Sequence, residues 1–190
     1  MAEVLLLHHA LGLTPGLLAF ADELRAAGHE VHAPDLYEGN VFTDLEEGLG
    51  YAKQVGFGKL QQMGTAAAEG LPEDLVYGGF SLGVMAAQEL AQTRPGAKGA
   101  LLFYSCLPAS ECGGPWPKGL PAQVHLMDED QFALEGDIDA ARELSEANES
   151  VALYLYPGDK HLFADSSASD YDEEAATLVK KRVLEFLERV

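Results

Sequence analysis

The segment Gly79-Phe80-Ser81-Leu82-Gly83 sets a serine between two glycines, directly after the apolar run Leu75-Val76-Tyr77 and before an amphipathic stretch. A nucleophile elbow needs that spacing. Its serine sits on a tight strand-to-helix turn that lifts the hydroxyl above a sheet, and flanking side chains would strike the packed backbone. The plainer reading is a glycine-bounded turn whose serine only caps a helix. A serine hydroxyl is a poor nucleophile at neutral pH, so it requires a base within hydrogen-bond reach and a third group orienting that base. Among six histidines, His161 follows the apolar run Val151–Tyr156 in a Pro157-Gly158 loop and is the best base candidate. His29 and His32 flank a short apolar run and His125 lies inside another, positions that suit structural roles. Asp128 and Asp130 both follow Val124–Met127, and either could orient the imidazole. This acidic cluster is not a calcium loop, because Ala133 stands where the sixth-position glycine belongs. Serine, acid, histidine is also one of the chain orders in which such triads recur.

Six apolar runs of strand length must carry these groups: Val4–Leu7, Val31–Ala33, Leu75–Tyr77, Ala100–Tyr104, Val124–Met127 and Val151–Tyr156. They are continuous rather than alternating, as strands covered on both faces are. Helical patterns lie between them. One opens at Thr14-Pro15, one follows Ser81 to about Thr93, one follows Asp137, and the last starts near Asp172. The stretch from Tyr51 to Gly70 is helical in character but interrupted by Gly56, Gly58 and Gly64, so a break is expected there. The alternation predicts an α/β fold, a mostly parallel, doubly wound sheet of about six strands with helices on both faces. Ligands of such sheets bind beyond the carboxyl ends of the strands, where the candidate residues fall.

With 190 residues, 47% hydrophobic and 23% charged, the chain suits a single domain, 1–190, with no room for a large cap. Twelve Lys+Arg against 31 Asp+Glu give a formal charge of −19, which excludes a nucleic-acid partner and an anionic membrane surface. No apolar run is long enough to span a bilayer. Glu3 stands where a secretory signal needs a basic residue, and the two cysteines, Cys106 and Cys112, form no disulfide framework, so a cytoplasmic protein is expected.

Four segments, in order along nearly the whole chain, resemble the dienelactone hydrolase family of α/β-hydrolases. They are His8-His9-Ala10-Leu11-Gly12-Leu13-Thr14-Pro15, Ala33-Pro34-Asp35-Leu36-Tyr37, the elbow around Ser81, and Tyr156-Pro157-Gly158 with His161 and Phe163. Alignment of Asp128-Glu129-Asp130-Gln131-Phe132 on the family's acid loop places the acid at Asp130. The chain departs from the founding lactone-cleaving members at three points. Ser81 replaces their cysteine, His9 stands where a glutamate partners the thiol, and no arginine matches those that clamp an anionic substrate. The resemblance therefore implies the fold and acyl-transfer chemistry, with neutral esters, lactones or thioesters as substrates.

The resulting expectation is a serine hydrolase with Ser81 as nucleophile, His161 as base and Asp130 as orienting acid. Oxyanion donors are expected at the backbone N–H groups of Leu82 and Ala10, with Leu11 as second choice to Ala10. His9, Leu11, Phe80, Trp116, Phe132 and Phe163 are the candidate pocket lining, flanked by the Pro115-Trp116-Pro117 loop. No metal or cofactor is called for. Two rivals use the same chain differently: a non-catalytic protein holding a small hydrophobic ligand, and a thiol enzyme built on Cys106.

Overall fold

The computed structural model describes residues 1–190. Strands β1 (Glu3–Leu7), β2 (Glu30–His32), β3 (Val76–Phe80), β4 (Gly99–Phe103), β5 (Ala122–Met127) and β6 (Val151–Tyr156) form one sheet in the order β2-β1-β3-β4-β5-β6. Every neighbouring pair is parallel, so the sheet is wholly rather than mostly parallel.

Because the four central strands, β1, β3, β4 and β5, are buried on both sides, alternate residues feed two separate cores. Leu5, Leu7, Tyr77, Ala100, Leu102, Val124 and Leu126 face one, while Val4, Leu6, Val76, Leu101, Phe103 and Met127 face the other. Each leucine so enclosed contributes about 1.5–3 kcal/mol, which explains the unbroken apolar runs. Helices α2 (Leu45–Val55), α3 (Phe57–Ala66), α4 (Val84–Thr93) and α5 (Asp137–Ala147) place buried residues in the first core. Helices α1 (Pro15–Ala26) and α6 (Glu173–Leu187) cover the second, through Leu17, Phe20, Leu24, Val179, Val183 and Phe186.

The helix ends follow local chemistry. Thr14 caps α1, its hydroxyl oxygen accepting from Leu17 N–H, with Pro15 at the first helical position. Asp172 caps α6 by accepting from Ala175 N–H. The break expected after Tyr51 falls at Gly56, whose φ of 101° separates α2 from α3. However, α2 starts earlier than its apolar pattern indicates, because Asp44 accepts from Glu47 N–H and Glu46 and Glu47 fill the first turn.

From β1 the chain crosses outward to β2, whereas from β3 it crosses the other way to β4. This reversal opens a crevice beyond the carboxyl ends of β1 and β3. The His8–Leu11 turn enters that crevice from one side and the Ser81 turn from the other.

Candidate active site

Ser81 ends the extended run of β3 with φ +47°, a left-handed conformation costing a non-glycine residue roughly 1–2 kcal/mol. Its flanks show why glycine is required on both sides. A Cβ on Gly79 would lie 2.5 Å from the carbonyl carbon of Gly83, and one on Gly83 would lie 2.3 Å from Leu7 O. The turn is pressed against its own helix on one side and against β1 on the other. Leu82 is the second residue of the short 3-10 turn Ser81–Gly83 that leads into α4, so its N–H lies near the positive end of a helical segment.

The loops after β5 and β6 are stitched together. Asp128 N–H donates to Tyr156 O (2.9 Å), Glu129 N–H to Gly158 O (2.9 Å) and Gly158 N–H to Asp128 Oδ1 (3.0 Å). This pairing brings Asp130 under His161, whose Nδ1 lies 2.6 Å from Asp130 Oδ2. With Nδ1–H donating to the carboxylate, Nε2 is left as an acceptor facing the Ser81 hydroxyl at 2.8 Å. The other Asp130 oxygen accepts Phe132 N–H at 3.0 Å. Asp130 is 1% exposed and His161 5%, so water barely reaches the pair. His161 is fixed further by its own N–H, which donates to Asp170 Oδ2 (3.1 Å). The Tyr104 hydroxyl, accepting Ala164 N–H (3.1 Å), holds the loop from beneath.

Across the crevice, both imidazoles of the first turn are used internally. His8 Nε2 accepts Leu36 N–H (3.0 Å), so its Nδ1–H donates to His9 O (2.8 Å). Burial pulls the His8 pKa down from 6.5 to about 4, which keeps this tautomer neutral. His9 Nδ1 accepts Leu11 N–H (3.2 Å), and its Nε2–H donates to Asp165 Oδ2 (2.7 Å). Between them, Ala10 N–H donates to no protein acceptor.

The remaining lining candidates divide. Phe132 lies at the site, its ring 4.6 Å from that of His161 and 44% exposed. Phe80 does not line it, because its side chain turns into the second core, stacked on Phe103 at 4.3 Å. Phe163 is likewise core, packed on Tyr104 and Tyr156. Leu11 is buried in the same core, and His9 is fully enclosed. Trp116 sits at the far edge of the sheet. Its indole N–H donates to Leu120 O (3.0 Å), just ahead of β5, and it borders a surface recess with Lys118 and Asn148. The chain between β4 and β5 must descend from the carboxyl to the amino edge, and Trp116 lies at the bottom of that descent. The Pro115-Trp116-Pro117 loop therefore does not flank Ser81. Asp165, Asp170 and Tyr104 are supports that spacing alone does not reveal. Only the polar run Asp165-Ser166-Ser167 after the histidine loop offers a signal.

Cys106 follows β4 but is fully enclosed, and burial pushes its thiol far from ionisation, which removes the thiolate a cysteine enzyme needs. One grouping has metal-ligand spacing, Glu3, Glu30 and His32, and it lies at the strands β1 and β2 away from the Ser81 crevice.

Residues 1–190 match the dienelactone hydrolase family. The chain belongs to that family. Solved structures agree on the fold. A dienelactone hydrolase from Anabaena variabilis superposes with TM-score 0.71 at 22% identity, covering 99% of this chain and 86% of that one. A dienelactone hydrolase-like promiscuous phosphotriesterase from metagenomic libraries gives 0.73 at 18% identity, covering 99% and 86%. Esterase 2 of Thermogutta terrifontis gives 0.67 at 16%, covering 98% and 82%. No curated protein matches by sequence. This dienelactone hydrolase family member is thus an α/β-hydrolase acting on a small molecule. None of its helices is long and apolar enough to cross a membrane.

Proposed function

We propose that the protein is a serine hydrolase that cleaves a small neutral carboxylic ester, lactone or thioester through an acyl-enzyme on Ser81. The observation that carries this reading is the unbroken hydrogen-bond chain from Ser81 Oγ through His161 to Asp130, headed by a serine held at positive φ. His161 Nε2 takes the hydroxyl proton as Oγ attacks the carbonyl carbon, and the imidazolium then delivers that proton to the leaving oxygen or sulfur. Asp130 holds the imidazole in the Nδ1–H tautomer and stabilises its charged form. The tetrahedral oxyanion is held by the N–H groups of Leu82 and Ala10. Water then gives a proton to the same imidazole as it attacks the acyl carbon, the acyl–Oγ bond breaks, and the proton returns to Ser81 Oγ as the acid leaves.

A net charge of −19 repels anionic substrates at long range, which favours neutral ones. The exposed ring of Phe132 offers an apolar surface beside the base for the substrate's organic group. In this reading the whole chain, 1–190, works as one domain without metal or cofactor. Its two free, buried cysteines suit the reducing cytoplasm.

The test is mass spectrometry after treatment with a fluorophosphonate, alongside turnover of a panel of aryl esters, lactones and acyl thioesters. Adduct on the Ser81 peptide and loss of turnover in Ser81→Ala are expected, by several orders of magnitude. Unlabelled Ser81 with a ligand-dependent rise in Tm would favour a binding protein instead.

A further inference from the structure

His9 and Asp165 form a second imidazole–carboxylate pair, separate from the one that serves Ser81. Both side chains are essentially without solvent contact, and His9 Nε2 lies 2.7 Å from Asp165 Oδ2. Neither ring nitrogen is free for proton transfer, since Nδ1 is occupied by Leu11 N–H. The carboxylate is saturated as well. Thr14 Oγ1–H donates to Oδ2 at 2.5 Å, and Ser167 N–H and Oγ–H donate to Oδ1 at 2.8 and 2.7 Å. A neighbouring residue is shaped around it, because a Cβ on Gly16 would lie 1.8 Å from Asp165 Oδ1. The site is built for an ionised carboxylate. Burial alone would raise its pKa, yet the donors from His9, Thr14 and Ser167 hold it near 2.

We propose that His9 and Asp165 are positioning residues that set the oxyanion donor at Ala10. Asp165 fixes His9 as the Nε2–H tautomer, which leaves Nδ1 as an acceptor. Nδ1 then ties back Leu11 N–H, and the intervening Ala10 N–H is left to face the reacting carbonyl oxygen. This inference rests on the serine-hydrolase reading. It adds that a catalytic donor is aimed from the same loop that carries the base, since Asp165 follows His161 by one turn.

Two substitutions separate the two ring nitrogens. In His9→Asn the side-chain oxygen stands near the Nδ1 position and can still accept from Leu11. In His9→Gln the amide reaches toward Asp165 but supplies no acceptor to Leu11. We expect His9→Gln to lower kcat for an aryl ester by roughly 10–100-fold with KM within about twofold, the effect of a lost outer-shell support. His9→Asn should lose several-fold less than His9→Gln, and a boronic-acid transition-state analogue should weaken in step with kcat. Equal losses in the two variants, or a change confined to KM, would overturn the proposal. Should His9→Gln fail to fold, ¹⁵N NMR of the wild-type imidazoles decides: a protonated Nε2 and bare Nδ1 on His9 support it, and the opposite tautomer refutes it. Ser81→Ala, measured in parallel, separates the two levels. If it keeps turnover, the serine-hydrolase reading fails first, whereas a dead Ser81→Ala beside an undiminished His9→Gln sinks this inference alone.

Discussion

Asp128 and Asp130 leave the end of β5 two positions apart and face different partners: Asp130 Oδ2 meets the His161 imidazole, while Asp128 Oδ1 accepts the Gly158 N–H. One carboxylate therefore meets the candidate base, and the other ties the loop that delivers it. Asp130→Asn should lower kcat by about 10⁴-fold, because the imidazole loses its enforced tautomer and the countercharge to its protonated form. Asp128→Asn keeps an oxygen for Gly158 and should stay within a few-fold of wild type. Steady-state kinetics on a single aryl ester checks both, and comparable losses in the two would reassign the acid.

The elbow glycines differ from a glycine that serves only a turn. Gly79→Ala pushes a methyl into the backbone of Gly83 and Val84, where no side chain can yield. It should cost at least about 2–3 kcal/mol in urea unfolding, or displace Ser81 enough to abolish fluorophosphonate labelling. Gly28→Ala meets nothing within 4 Å and suffers only the strain of φ +95°. Its cost should be about 1 kcal/mol, with labelling unchanged.

Phe132 shields one face of His161 while presenting nearly half its surface outward. Phe132→Ala removes an aromatic contact of about 0.5–1.5 kcal/mol, which corresponds to a loss of roughly 2–10-fold in kcat/KM for an aryl ester. Alkyl esters too short to reach the ring should lose less, and Tm should hardly move. An identical loss for methyl and aryl esters would mean that the ring only steadies the imidazole.

Acid sensitivity should begin above the carboxylate range. Burial lowers His8 to about 4 and His125 to about 3, against 6.5 in the unfolded chain. Below pH 6.5 the unfolded chain binds protons that the folded form refuses. Stability is therefore fully present above pH 6.5 and is lost as pH falls toward 4, on the order of 1 kcal/mol per pH unit for each group. His125 Nε2–H donates to Gln123 Oε1 while Nδ1 accepts the Tyr156 hydroxyl, and its ring stacks between Phe103 and Tyr154. His125→Phe keeps the stack and leaves those polar groups unpaired. It should be less stable at pH 8 by about 1–3 kcal/mol, yet show a shallower decline between pH 6.5 and 4. Urea titrations at several pH values measure both, and an unchanged slope would show that His125 does not titrate in that window.

Much of the architecture is legible in the residues because a sheet covered on both faces writes itself as continuous apolar runs, and the residues after those runs can only lie at its carboxyl edge. Ser81 and His161 stand out for that reason, whereas position alone leaves Asp128 and Asp130 equivalent and only the family resemblance separates them. The same doubly covered sheet hides which way an aromatic side chain turns. Phe80 and Phe163 lie one and two positions from the candidate residues in sequence yet point into the second core, where their neighbours are Phe103, Tyr104 and Tyr156. Trp116 misleads for a different reason, since no pattern marks how far a long β-to-β connection has descended. The pairing of His9 with Asp165 joins residues 156 positions apart and leaves no local trace beyond the polar run at Asp165 and the small residue at Gly16. The start of α2 was recoverable, because Asp44 followed by two glutamates is a good amino-terminal signal that the sparse apolar pattern of that helix obscured.

Asp165 follows His161 by a single backbone turn, closed by the Asp165 N–H to Leu162 O bond at 3.0 Å. The stretch between them consequently acts as one lever with two outputs. A crosslink, a bound inhibitor or an insertion that shifts it would disturb the His161 imidazole and the His9 turn together. Change that reshapes specificity while sparing turnover is therefore easier to accommodate in an outward-facing side chain, such as Phe132, than in the backbone of either loop.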